Sequence, residues 1–216
     1  MRKIISAVIS MALTLSLITI SIVAKENDIT EQFEDLQNKI TAVLDVSDDH
    51  YVYSEQKVID VIRDENFDFA LFNQVNNTNY TEQSFIELAL NNIKEADLSI
   101  HPTDGPACTY GTYCGRNYET EGWNYYRSFN NKARTNAWIN QLQGVINAAL
   151  VGQISIMFIP NAAGIALSVG FTVSSVYNEG LKDALSVKNT GSCGTVTDIN
   201  KFYAAYTVWS QEEFFE

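Results

Sequence analysis

The chain is poor in the residues from which most catalytic and metal sites are built. Its 216 residues include two histidines and three cysteines. His50 and His101 stand in unrelated contexts, which excludes a His-rich metal site. Neither HExxH nor GxSxG occurs. The nearest echo of a nucleophile elbow, Ala166-Leu167-Ser168-Val169-Gly170, sits inside an apolar run that reads as helix, with no strand before it. Nothing near Cys108 and His101 would activate a thiol. The acidic run Asp45 to Asp49 lacks the Gly and terminal Glu of an EF-hand. No catalytic, cofactor-binding or metal-binding residue is assigned, and the expectation is a protein that is not an enzyme and uses no cofactor. Three prolines and no Ser/Gly tract argue against a disordered linker protein.

Charge is also missing, over one long stretch. The 44 residues from Thr135 to Asn178 carry none, and the run is rich in Ile, Val, Leu and Ala. A soluble domain of this size normally interrupts its helices with charges on the solvent face. Trp138, Leu142, Val145, Ile146, Ala149 and Leu150 follow helical spacing, and a helix could run to Phe158 before Pro160-Asn161 breaks it. A second apolar helix is expected from Ala162 to about Tyr177. Ala148 with Gly152, and Ala162, Ala166 and Gly170, place small residues at every fourth position, the spacing of closely approaching helices. The expectation is a hydrophobic helical hairpin turning at Pro160 and Asn161. It is buried as core, or sheltered in water and released to a membrane.

What is present at the N-terminus matches a secretory signal peptide over residues 1–24. Arg2 and Lys3 precede the apolar run Ile4–Val23, and the small residue Ala24 precedes a polar stretch. Secretion is therefore expected, and exported thiols tend to pair. A Cys114–Cys193 bridge would tie both ends of the uncharged segment together and is favoured. Cys108–Cys114 and three free thiols remain open alternatives.

The remaining charge is divided unevenly. Lys25 to Gly105 holds 18 acidic and 5 basic residues, and Pro106 to Glu216 holds 8 acidic and 7 basic. The acidic region 25–105 reads as helices. Ile29, Phe33, Leu36, Ile40, Val43 and Leu44 form one stripe, Val58, Ile59 and Ile62 a second, and Phe85, Leu88, Ala89 and Ile93 a third. His101-Pro102-Thr103-Asp104-Gly105-Pro106 should stop the last helix and form a linker open to processing. The acidic region is then a pro-segment or shield for an effector domain at 106–216, or an ordinary acidic surface domain. The fold expected is mainly α, an acidic helical region followed by a helical domain around the hydrophobic hairpin.

After the linker, aromatics interleave with bases. Trp123, Tyr126, Arg127, Lys132, Arg134 and Trp138 are candidates for a membrane interface, where rings and cations meet headgroups. An aromatic core packed around one disulfide is the alternative. The secretion signal argues against nucleic acid as a partner.

The second half resembles a loose group of secreted bacteriocin-like proteins of Gram-positive bacteria, including the large geobacillin type. The resemblance covers roughly Cys108 to Trp209. It is carried by Trp123-Asn124-Tyr125-Tyr126-Arg127, Asn130-Asn131, Thr135-Asn136, the uncharged segment and Ser192-Cys193-Gly194-Thr195. The entry Tyr110-Gly111-Thr112-Tyr113-Cys114 is also similar to the Tyr-Gly motif of pediocin-like bacteriocins, with Tyr113 where that pattern has Gly. It looks like the calcium loop of secreted phospholipases A2 as well, but the His-Asp pair that should follow is missing. The resemblance implies antibacterial action through a bacterial membrane or membrane receptor, with a cognate immunity protein as a further partner. It supplies no catalytic residue. The competing expectation is a secreted non-catalytic binding or cell-envelope protein whose hairpin is only core.

Overall fold

Ile29, Phe33, Leu36 and Ile40 are spaced by four, three and four, and all are buried on one face of helix α1, residues 28–41. The computed structural model describes residues 28–99, 114–149, 156–160, 166–172 and 175–216. The chain divides into two compact units. The first takes in α1 and Tyr53–Glu87. The second takes in Val46–Val52 and everything from Leu88 onward. The linker 101–106 and the signal region 1–24 lie outside the described residues.

The first unit is helical, built from α1, α2 (Glu55–Asp64), α3 (Phe69–Asn76) and the start of α4 (Glu82–Glu95). Phe33 stands at its centre. Its ring stacks on Phe72 at 4.2 Å and meets Phe67 and Phe85 at 5.4 and 5.5 Å. Offset and edge contacts of this kind add to the area the rings bury. Helix α3 is short and begins where the Asp68 carboxylate caps the Leu71 N–H at 2.9 Å. It ends at Asn77, in the left-handed region at φ 51°. The sequence stripe expected to run on through Val43 and Leu44 stops earlier, because the helix ends at residue 41.

The second unit overturns the mainly α expectation. It holds a four-stranded antiparallel sheet ordered β3 (Tyr118–Glu121), β4 (Tyr125–Asn130), β7 (Thr195–Asn200) and β8 (Tyr206–Ser210). Two short strands, β1 (Asp45–Ser47) and β2 (His50–Val52), form a separate hairpin. Asp97 bridges Glu121 at the end of β3, with backbone bonds of 2.9 and 2.7 Å in both directions, and the Leu98 N–H reaches the Asp49 carbonyl at 2.9 Å.

Strands β4 and β7 are neighbours, although residues 131–194 separate them in sequence. That excursion contains α5 (Lys132–Ala149), the strands β5 (Ile156–Pro160) and β6 (Ala166–Thr172), and α6 (Ser175–Lys188). Helices α5 and α6 pack along each other. Trp138 and Leu142 from α5 and Leu181 and Leu185 from α6 form a core with Tyr126, Ile199 and Val208 of the sheet. The other sheet face carries Tyr118, Phe129 and Val196, covered by Trp209 and by Phe214 and Phe215 of the short helix α7 (Gln211–Phe215).

The hydrophobic helical hairpin is therefore not formed. Helix α5 ends at Ala149, and the segment read as two apolar helices pairs as an antiparallel β-hairpin, Ile159 opposite Leu167 and Pro160 opposite Ala166. The physical reason lies in the period. Ala166 and Gly170 are four apart, which fits a helix turn and equally fits every second position of a strand. In β6 the large residues Leu167, Val169 and Phe171 alternate with Ser168, Gly170 and Thr172, a period of two.

Candidate functional site

The residues singled out as membrane-interface candidates are engaged inside the fold. Trp123 is fully buried, its ring edge-on to Phe202 at 5.6 Å. Trp138 and Tyr126 belong to the core between the helices and the sheet. Burial and then the nearby Glu119 carboxylate push the Tyr126 phenol far above its usual range. The cations are paired. Arg127 Nε and Nη2 donate to Asp198 Oδ1 and Oδ2, both at 2.6 Å, a bidentate pair across β4 and β7. Tyr125 and Phe214 lie against its guanidinium at 4.7 and 5.0 Å. Arg134 donates to Glu119 at 3.0 Å, and the Lys132 ammonium donates to the Gly191 carbonyl at 2.8 Å.

The cysteines resolve differently from the favoured pairing. Cys193 is a free, buried thiol, so the Cys114–Cys193 bridge does not form. Cys114 is disulfide-bonded, and Cys108, the remaining cysteine of the chain, lies outside the described residues. Burial raises the Cys193 thiol above its ordinary value, and the Glu212 carboxylate adds to that shift. A protonated, buried thiol is a poor nucleophile.

The short motifs Asn130-Asn131, Thr135-Asn136 and Ser192-Cys193-Gly194-Thr195 converge on one corner. Asn131 Oδ1 accepts from the Arg134 N–H at 2.9 Å and caps α5 as the chain leaves β4. Thr135 Oγ1 reaches the Asn130 carbonyl at 3.2 Å and the Thr195 hydroxyl at 3.0 Å. Asn136 Oδ1 accepts from Asn189 at 2.9 Å. Gly194 takes φ +98°, and an added Cβ there would stand 2.1 Å from the Asn130 carbonyl oxygen. The Gln211 side chain stitches the corner shut, donating to the carbonyls of Asn130 and Arg116 at 3.0 and 3.2 Å and accepting from the Gly115 N–H. Next to it, Glu212 Oε1 accepts the N–H groups of Ser192 and Cys193 at 2.8 and 2.9 Å. Burial opposes ionisation of that carboxylate, but the backbone donors outweigh it and hold the group below the ordinary range. These residues build the junction of β4, α5 and β7.

The chain matches no protein-family model, no curated protein and no solved structure.

What stands apart from this corner is the β5–β6 hairpin. It joins the C-terminal end of α5 to the N-terminal end of α6 and, among the described residues, hydrogen-bonds to no other strand. Within the second unit, its extensive backbone neighbours among the described elements are its own two strands. Val176, in the first turn of α6, is among the most exposed large apolar residues described. Pro160, expected at a helix break, closes β5 opposite Ala166, and Asn161 lies outside the described residues. Among the described residues no helix is long and apolar enough to cross a membrane, and no cluster of His, Cys, Asp and Glu could hold a metal ion.

Proposed function

We propose that this is a secreted antibacterial protein, not an enzyme, that acts at the target cell membrane through the β5–β6 hairpin. The observation that carries the reading is an uncharged hairpin, mounted between two packed helices and, among the described residues, paired with no other strand. Strands β5 and β6 contain no Asp, Glu, Lys or Arg, and neither do the residues flanking them back to Thr135 and on to Asn178. Entry of this segment into hydrocarbon carries no charge-burial cost. The rest of the second unit, with its ion pairs and aromatic core, serves as the soluble carrier. The signal-like N-terminus and the bacteriocin resemblance support secretion and a bacterial target, with a membrane receptor as a further partner class.

The test is dye release from vesicles of phosphatidylglycerol and phosphatidylethanolamine by the intact mature chain, alongside growth inhibition of Gram-positive indicator cells. Micromolar protein is expected to release dye and arrest growth. Neither effect at that concentration sinks the proposal.

A secreted binding protein of the cell envelope is the competing reading. The burial of Trp123, Tyr126 and Trp138 favours it, since a membrane-anchored form would be expected to present such rings. It predicts retention on purified cell wall without vesicle leakage.

A further inference from the structure

We infer that the seam between α5 and α6 is built to part at its hairpin end, and that this parting is the step that frees β5 and β6 for the bilayer. The inference rests on the membrane reading above and names what regulates the same hairpin.

Two contacts fix the register of the seam. Asn189 donates to Asn136 at 2.9 Å at one end, and the Lys182 ammonium donates to Gln143 at 3.2 Å midway. The helices are therefore antiparallel. One turn further on, the same register sets Asn178 level with Ile146 and Asn147, near the end of α5 and the start of α6. Asn178 precedes Leu181 and Leu185 at helical spacing, so it shares their inward face.

At that level the seam changes character. Ile146 is buried, and Asn178 is fully buried with it. Neither Asn178 Oδ1 nor Nδ2 has a hydrogen-bond partner among the described residues. Asn147, the amide opposite in register, is exposed and accepts from Gln143 of its own helix at 3.0 Å. A carboxamide taken from water without a partner opposes the packing that buries it. It regains hydrogen bonds to water as soon as the helices separate. The far end of the seam is tied down instead, because Asn189 bonds across to α5 and the Thr135 hydroxyl bonds to the Asn130 carbonyl and Thr195.

The helices on both sides are easily opened here. Gly144 precedes Ile146 in α5, with nothing within 4 Å of an added Cβ, so the helix has a point of backbone freedom that packing does not require. Asn178 lies in the first turn of α6, where N–H groups have no acceptor within the helix. Val176 in the same turn is 74% exposed. Tyr177 stands edge-on to Tyr206 at 5.1 Å and holds this turn on the sheet. The part that swings is then the end of α5 beyond Gly144, which leads into β5. Local opening of this kind draws on the least stable part of a fold.

The experiment is amide hydrogen exchange of the full mature chain in buffer, followed by dye release from the vesicles described above. Residues 141–149 and 175–181 are expected to exchange before 132–140 and 182–189. Asn178→Leu keeps the shape and removes the orphaned amide, so it should slow exchange at the hairpin end and dye release, each by at least about tenfold. Gly144→Ala acts from α5 alone and should slow the same exchange by roughly two- to fivefold. Uniform exchange along the seam, or exchange unchanged in both variants, overturns the inference and leaves the membrane reading standing. Slower exchange with unaltered dye release overturns the link between parting and insertion. A parent chain that opens at the hairpin end but releases no dye overturns the membrane reading instead.

Discussion

Gly194 does two jobs that no other residue could do together. Its φ of +98° is strained for any residue with a side chain, and its Cα faces the backbone of Asn130, Asn131 and Lys132, where a Cβ would lie 2.1 to 2.7 Å from main-chain atoms. Those atoms belong to the β4–α5 junction and cannot swing aside as a flexible side chain would. Gly194→Ala is expected to destabilise the protein by more than about 2 kcal/mol. Gly144, in the middle of α5, is the opposite case, because nothing stands within 4 Å of an added Cβ. Gly144→Ala should stabilise by roughly 0.5–1 kcal/mol. Urea unfolding of both variants checks the pair. A neutral Gly194→Ala would mean that the corner is looser than its hydrogen bonds indicate.

At the scale of elements, the acidic region contributes more to the second unit than a detachable shield would. β1–β2 and the second half of α4, with buried Ala89 and Ile93, belong to that unit, and Asp97 is tied to Glu121. A chain beginning at Pro106 lacks all of these. It is expected to melt more than about 4 °C below the full mature chain, a loss of about 1 kcal/mol or more. Equal melting temperatures would restore a cleanly removable pro-segment. The helices of the acidic region were legible in the sequence because their buried residues keep a period of three and four, as in α1. The four-stranded sheet was not. In β4 the face toward α5 and α6 carries Tyr126, Ser128 and Asn130, and in β7 it carries Thr195, Thr197 and Ile199. Polar residues thus occupy buried positions, and the apolar alternation that announces a strand is absent. Ser128, Asn130, Thr195 and Thr197 are fully buried, and Ser128, Asn130 and Thr195 are hydrogen-bonded within this layer or to Thr135. The hairpin misled for another reason, since small residues at every fourth position satisfy a helix and a strand alike.

Across the whole molecule, charge and hydrophobicity are segregated along the chain. The region 25–105 holds most of the acid, and the longest uncharged run covers most of α5, the β5–β6 hairpin and the first residues of α6. The ion pairs of the second unit, Arg127–Asp198 and Arg134–Glu119, keep these two guanidinium groups within the fold. Attraction to a membrane must then come mainly from the apolar hairpin, so activity should resist added salt better than a purely electrostatic attachment would. The central claim is that this hairpin enters the bilayer. It is tested most directly by Val169→Asp, a charge placed on the large-residue set of β6, measured beside the unaltered chain for dye release from the same vesicles. Each inserted hairpin would then carry a penalty below the roughly 2–4 kcal/mol that Arg or Lys costs on a lipid-facing strand near the bilayer midplane. The account predicts that Val169→Asp keeps the circular dichroism spectrum and melting temperature of the parent chain and loses at least about tenfold in leakage rate. A folded Val169→Asp chain that releases dye as fast as the parent would contradict it.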